Sequence, residues 1–144
     1  MKRFAFSLEK VLRYKKLLKE QKQARLLKAN QIYFACRQEL EHLKNQLLER
    51  KSSLFTGRLS PAILIHRASY IEFLASLVAA QEKKTEDALA HVRKCRQDLI
   101  EADQEQQVLE KLKGRKHQEY LYHIERELQK ELDEVAASVY SRRS

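Results

Sequence analysis

Apolar residues return along this chain in alternating steps of three and four. Leu26, Ala29, Tyr33, Cys36, Leu40, Leu43 and Leu47 keep that rhythm, with Leu54 one heptad further on. Ile71, Leu74, Val78, Gln81, Thr85, Ala88, Val92, Cys95, Leu99, Ala102, Gln106 and Leu109 keep it again. Such steps stack side chains on one stripe of an α-helix, so each series predicts a helix with a coiled-coil seam. Between the two series, Gly57 suits the left-handed backbone past a helix end. Ser60 can cap a new helix whose first position is Pro61, where a missing N–H costs nothing. The pattern predicts an all-α fold: a long two-helix antiparallel coiled-coil hairpin in one domain, residues 1–144, with helices over about 7–55 and 61–140 and a turn at about 56–60. A turn centred on Gly57 sets Leu43 near Phe73 and Leu8 near Val108, and leaves the carboxy-terminal helix overhanging from about Glu110.

Three departures from a plain seam carry further expectations. Phe4, Leu8, Val11 and Leu18 form a stripe that joins the later register only through polar Lys22, which reads as a stutter. The overhang keeps its own stripe in Leu121, Ile124, Leu128, Leu132, Val135 and Val139, and a lone amphipathic helix of this kind requires a partner. From Pro61 to Ala80 the apolar set is wider than one seam needs. With Ile71, Leu74 and Val78 facing the first helix, Phe73, Leu77 and Ala80 are left as an i, i+4, i+7 ridge, the spacing of a helix that anchors in a groove. Cover by the first helix or by a second copy is the competing explanation of that ridge.

Composition supports long helices. Two Gly and one Pro in 144 residues leave too few turn formers for a sheet protein. No apolar run reaches the roughly 18 to 20 residues that cross a bilayer, and the start has no signal-peptide core, so the expectation is a cytoplasmic chain without direct membrane insertion. The net charge of +9 gathers at the amino terminus, where residues 1–28 hold ten Lys and Arg against Glu9 and Glu20. Nucleic acid, an acidic membrane surface or an acidic protein patch could answer such a field. The basic residues lack an interleaved aromatic platform, which turns the expectation away from nucleic acid.

No chemistry of the catalytic kind is signalled. His42, His66, His91, His117 and His123 form no metal-ligand motif, Gly114 stands in no phosphate loop, and Cys36 and Cys95 lie too far apart along a hairpin to bridge. Carboxylate pairs such as Glu125 with Glu127 have no desolvated pocket to tune them. The expectation is a non-enzyme with no cofactor and no metal.

The opening Phe4-x-Phe6-x-Leu8-Glu9-Lys10-Val11-Leu12, the segment Leu109-Glu110-Lys111-Leu112-Lys113, Tyr120 and the close Glu127-Leu128-Gln129-Lys130-Glu131-Leu132-Asp133-Glu134 together resemble the flagellar export protein FliJ family. The resemblance implies an adaptor of the flagellar type III export apparatus, similar in shape to the γ stalk of rotary ATPases and peripherally associated with the inner-membrane export apparatus. Its implied partners are the hexameric export ATPase, the membrane export-gate protein and export chaperones. On this reading Phe73, Leu77, Ala80 and Lys84 dock on the gate, although the family carries His where this chain has Lys84. Contact with the ATPase falls to Leu121, Ile124, Leu128, Leu132 and Val135, beside the basic cluster of Lys10, Arg13, Lys15, Lys16 and Lys19. A basic nucleic-acid-binding coiled coil and a structural spacer are the alternatives.

Overall fold

The computed structural model describes residues 2–144 and consists, among them, of two helices: α1, Glu9–Ser52, and α2, Pro61–Arg143. They pack antiparallel as a helical hairpin. α1 opens with Glu9 in its first turn and closes with Arg50 and Lys51 in its last, charges that suit the two ends of a helix dipole. It stops at Ser52, three residues before Phe55, because Ser52, Ser53 and Thr56 turn their hydroxyls back onto the carbonyls of Glu49, Arg50 and Ser53. Gly57 takes φ +82°, open to glycine at little cost. Ser60 then caps α2, its Oγ accepting from the Ile63 N–H at 3.3 Å, with Pro61 in the first helical position.

One side chain ties the connection to α2. Arg67 Nη1 donates to the carbonyls of Ser53, Leu54 and Thr56 at 3.3, 3.0 and 2.7 Å, taking up oxygens of the connection that follows α1. Arg67→Met is expected to cost about 2 kcal/mol in urea unfolding, the scale of hydrogen bonds from a charged donor. Amide exchange should quicken at residues 53–60 and stay unchanged near Ala29. A uniform loss of protection would show that the clamp serves the whole hairpin.

The chain divides into two units, the residues up to Glu20 with Glu101–Ser144, and Gln21–Ile100. In the second unit every seam position from Leu26 to Leu54 and from Ile71 to Leu99 is buried or half-buried. Ala29, Val92 and Cys95 form a buried cluster with Leu26 and Tyr33 packed on it. Midway along this unit, Gln81 Nε2 donates to the Cys36 carbonyl at 3.0 Å, while Thr85 Oγ1 donates to the Gln81 carbonyl of its own helix at 2.8 Å and lies 3.4 Å from the same Cys36 oxygen. Both cysteines are free thiols.

In the first unit the sequence pattern misleads. Leu8 and Val11 are exposed, while Phe6 and Leu12 are buried. Lys15 and Lys19 are half-buried, with their ammonium groups 2.6 Å from Glu105 and 2.7 Å from Asp103. Lys22, in the other unit, is half-buried as well. Counted with these lysines, Leu12, Lys15, Lys19, Lys22 and Leu26 keep the three-four steps unbroken, so the register has no stutter. Long aliphatic stems let lysine occupy a seam while the charged head reaches its rim.

Pairing also runs roughly one to two turns further along α2 than a turn centred on Gly57 requires. Glu9 meets Lys113, Lys44 meets Glu82, and Arg50 lies over the Tyr70 ring. Val108 is exposed rather than packed on Leu8. Arg67, bound to the carbonyls of the connection after α1, sets the first turns of α2 beside that connection instead of beside α1.

Helix α2 also corrects the expectation about apolar runs. It contains an 18-residue stretch of mean hydropathy 1.4 with only 11% of it buried. Arg67 and Glu72 are the only Asp, Glu, Lys or Arg residues from Pro61 to Ala80, where the apolar residues of this helix crowd together. Gly114 sits within α2 with open space around it, and the helix continues through it.

Candidate functional site

The candidate sites are two surfaces of α2. Among the described residues no group of three or more His, Cys, Asp or Glu could hold a metal ion.

The first surface is the ridge on α2. Leu74 is 2% exposed and Val78 is buried on the seam, and Gln81 is half-buried below them. One position away, Phe73 is 56% exposed, and Leu77, Ala80 and Lys84 are exposed too. The helical period separates the two sets: side chains at steps of four, three and four share one face, and a shift of one residue turns that face by about 100°. Tyr70 continues the ridge upward, its ring centroid 6.4 Å from that of Phe73.

The second surface is the carboxy-terminal end of α2, and its inner part is covered. Residues 2–8 are not helical and run along α2, where Phe4 packs edge-on to His117 with ring centroids 4.9 Å apart and lies 5.5 Å from Tyr120. The Tyr120 hydroxyl donates to the Lys2 carbonyl. Together these segments line a groove of about 720 Å3 that extends to Ile124 and Glu127. The helix therefore loses its partner near residue 125 rather than Glu110, because residues 2–8 continue as a strap along α2 beyond the start of α1. The spacing of Phe4 and Phe6, two apart rather than three or four, is the sequence signal for that strap.

Beyond it, every residue from 125 to 144 is exposed. Leu121, Leu128, Leu132 and Val135 are exposed and Ile124 is half-buried. Leu121, Ile124 and Leu128 recur as Leu132, Val135 and Val139 after eleven residues, a period of about 3.67 per turn. That stripe runs nearly parallel to the helix axis, unlike the slanted stripe of a heptad seam.

The basic cluster splits in two. Lys10 and Arg13 are exposed, and no carboxylate pairs with them among the described residues. Lys15 and Lys19 are engaged with Glu105 and Asp103, and Lys16 lies 4.0 Å from Glu110. Much of the amino-terminal field is thus answered within the unit by acids of α2. The Lys113 ammonium, 2.8 Å from Glu9 Oε2, holds the Glu9 carboxyl below the usual carboxylate range, with Arg13 and Lys16 adding to the effect. The contribution of that pair is present above the ordinary Glu range and fades only as pH falls through the lowered value.

A family model described as flagellar FliJ protein matches residues 4–144. The chain belongs to the flagellar FliJ protein family. Among solved structures, a YscO homolog, CT670 from Chlamydia trachomatis, is similar over 96% of this chain and 96% of its own, with a TM-score of 0.57 and 20% identity. At that identity the likeness carries the fold alone. Among curated proteins nothing matches the chain.

Proposed function

We propose that this FliJ-family chain is a non-catalytic cytoplasmic adaptor of the flagellar type III export apparatus. It acts as a stalk for the hexameric export ATPase and links that ring to the membrane export gate, where export chaperones are also received. The observation that carries the reading is the end of α2, where apolar side chains at regular spacing project from a helix that none of the described residues covers beyond residue 125. An exposed stripe of this kind is retained when a partner buries it. Leu128, Leu132 and Val135 are the apolar contacts with the ring, extended inward by Leu121 and Ile124. Lys10 and Arg13 steer the approach, as free surface cations do, while Lys15 and Lys16 contribute less because acids of α2 already face them. In the other unit, Phe73, Leu77 and Ala80 anchor on the gate, with Lys84 at the polar edge of the contact.

Co-purification with a hexameric export ATPase, with and without nucleotide, tests the reading. The full chain is expected to be retained on the ring and to raise its ATP hydrolysis. Retention on nucleic acid that falls steeply with salt, with none on the ATPase, would point instead to the basic coiled-coil alternative.

A further inference from the structure

The connection between the helices joins three features that neither the seam nor the ridge uses. First, large apolar side chains stand in solvent there: Phe55 is 72% exposed and Ile65 68%, and Leu59 and Ile63 are exposed as well. Second, there is no acidic residue between Glu49 and Glu72, whereas Arg50, Lys51, Arg58 and Arg67 all fall within that stretch. None of the four pairs with a carboxylate among the described residues. Third, Ile63 and Ile65 are two positions apart on one helix, about 200° around it, so they leave α2 on opposite faces. A groove on a protein takes one face of a helix. A fluid interface takes the end of a hairpin from every side.

We propose that the hairpin tip docks end-on at the surface of a bilayer containing anionic lipid. Phe55, Leu59, Ile63 and Ile65 enter the boundary between headgroups and acyl chains, and Arg50, Lys51 and Arg58 lie at the level of the lipid phosphates. Apolar burial combined with basic charge is the chemistry of interfacial segments. The backbone is prepared for it: Arg67 already occupies the carbonyls of Ser53, Leu54 and Thr56, so these oxygens enter the interface with partners. The tip lies at the surface and does not span, because Leu74 and Val78 hold the following turns of α2 against α1. This inference requires no export component, so its failure leaves the adaptor reading standing.

The chain has no Trp, so the full-length Phe55→Trp variant reports on the tip alone. Its emission is expected to shift to the blue with vesicles of phosphatidylcholine containing one third phosphatidylglycerol, and not with phosphatidylcholine alone. Adding Lys51→Glu and Arg58→Glu should weaken binding about twenty-fold or more, at roughly five-fold per cation lost. Lys83→Glu with Arg93→Glu, the same change of net charge elsewhere in the hairpin, should leave it within about two-fold of Phe55→Trp. Circular dichroism should match for all variants, since every altered residue is exposed. Emission unmoved by anionic vesicles would overturn the proposal, as would equal weakening by the control pair. A blue shift that follows protein concentration without lipid would also overturn it and assign the tip to a second copy of the chain.

Discussion

A chain ending at Glu127 is expected to unfold at the temperature of the full chain and to lose its grip on the export ATPase. The cut falls beyond the strap, so Phe4 keeps His117 and Tyr120, and the groove between the strap and α2 keeps its lining. Every residue removed is exposed, hence no packing is lost with it. What disappears is Leu128, Leu132 and Val135, the outer part of the stripe assigned to the ring. Interface anchors typically cost 2 kcal/mol or more each on truncation, roughly thirty-fold in affinity, and three are lost together. Calorimetry and ATPase stimulation, measured on the same preparations, provide the check. If the shortened chain stimulates the ATPase as well as the full one does, the stalk contact lies elsewhere.

Two neighbouring residues on α2 should fail in opposite ways. Leu74 is fully buried against α1, so Leu74→Ala is expected to cost about 2–5 kcal/mol of stability through lost transfer energy and the cavity left behind. Phe73 and Leu77 lie off the seam, and Phe73→Ala with Leu77→Ala should change stability by less than about 1 kcal/mol, as exposed positions do. That double variant should instead weaken binding to the export gate, by roughly thirty-fold. Urea unfolding of both proteins separates the outcomes. A double variant as unstable as Leu74→Ala would place the ridge in the core and end the docking assignment.

The contrast between Phe73 and Leu74 was legible in the sequence because a seam at steps of three and four excludes its neighbours by geometry alone. The same logic recovered the seam from Leu26 to Leu54 and from Ile71 to Leu109. It failed where the seam is made of lysine. Counting only apolar side chains drew Leu8 and Val11 inward and read a stutter at Lys22, when the stems of Lys15 and Lys19 fill the stripe and Glu105 and Asp103 receive their charges. The axial offset was hidden for another reason. It depends on Arg67 reaching carbonyls more than ten positions earlier in the chain, and periodicity carries no trace of a side chain bound to backbone oxygens. The strap is hidden because Phe4 falls at a helical step from Leu8, although residues 2–8 are not helical. For the candidate surfaces, spacing alone set the ridge apart from the seam, while the extent of the uncovered stripe depended on that strap.

The amide donated to the Cys36 carbonyl bears on a problem common to hairpins of this kind. A seam of similar apolar residues nearly reproduces itself when one helix slips past the other by a heptad, and the energy difference between such alignments is small. Gln81 interrupts that self-similarity with an amide that demands a definite acceptor. A slip of seven residues would set the amide of Gln81 against a different turn of α1, and any loss of its acceptor there would strand a polar group in the seam. The contact thus acts less as a source of cohesion than as a detent. It fixes the axial register of α1 against α2 within this unit, so a pull along one helix is passed to the other as displacement instead of being absorbed by creep between them.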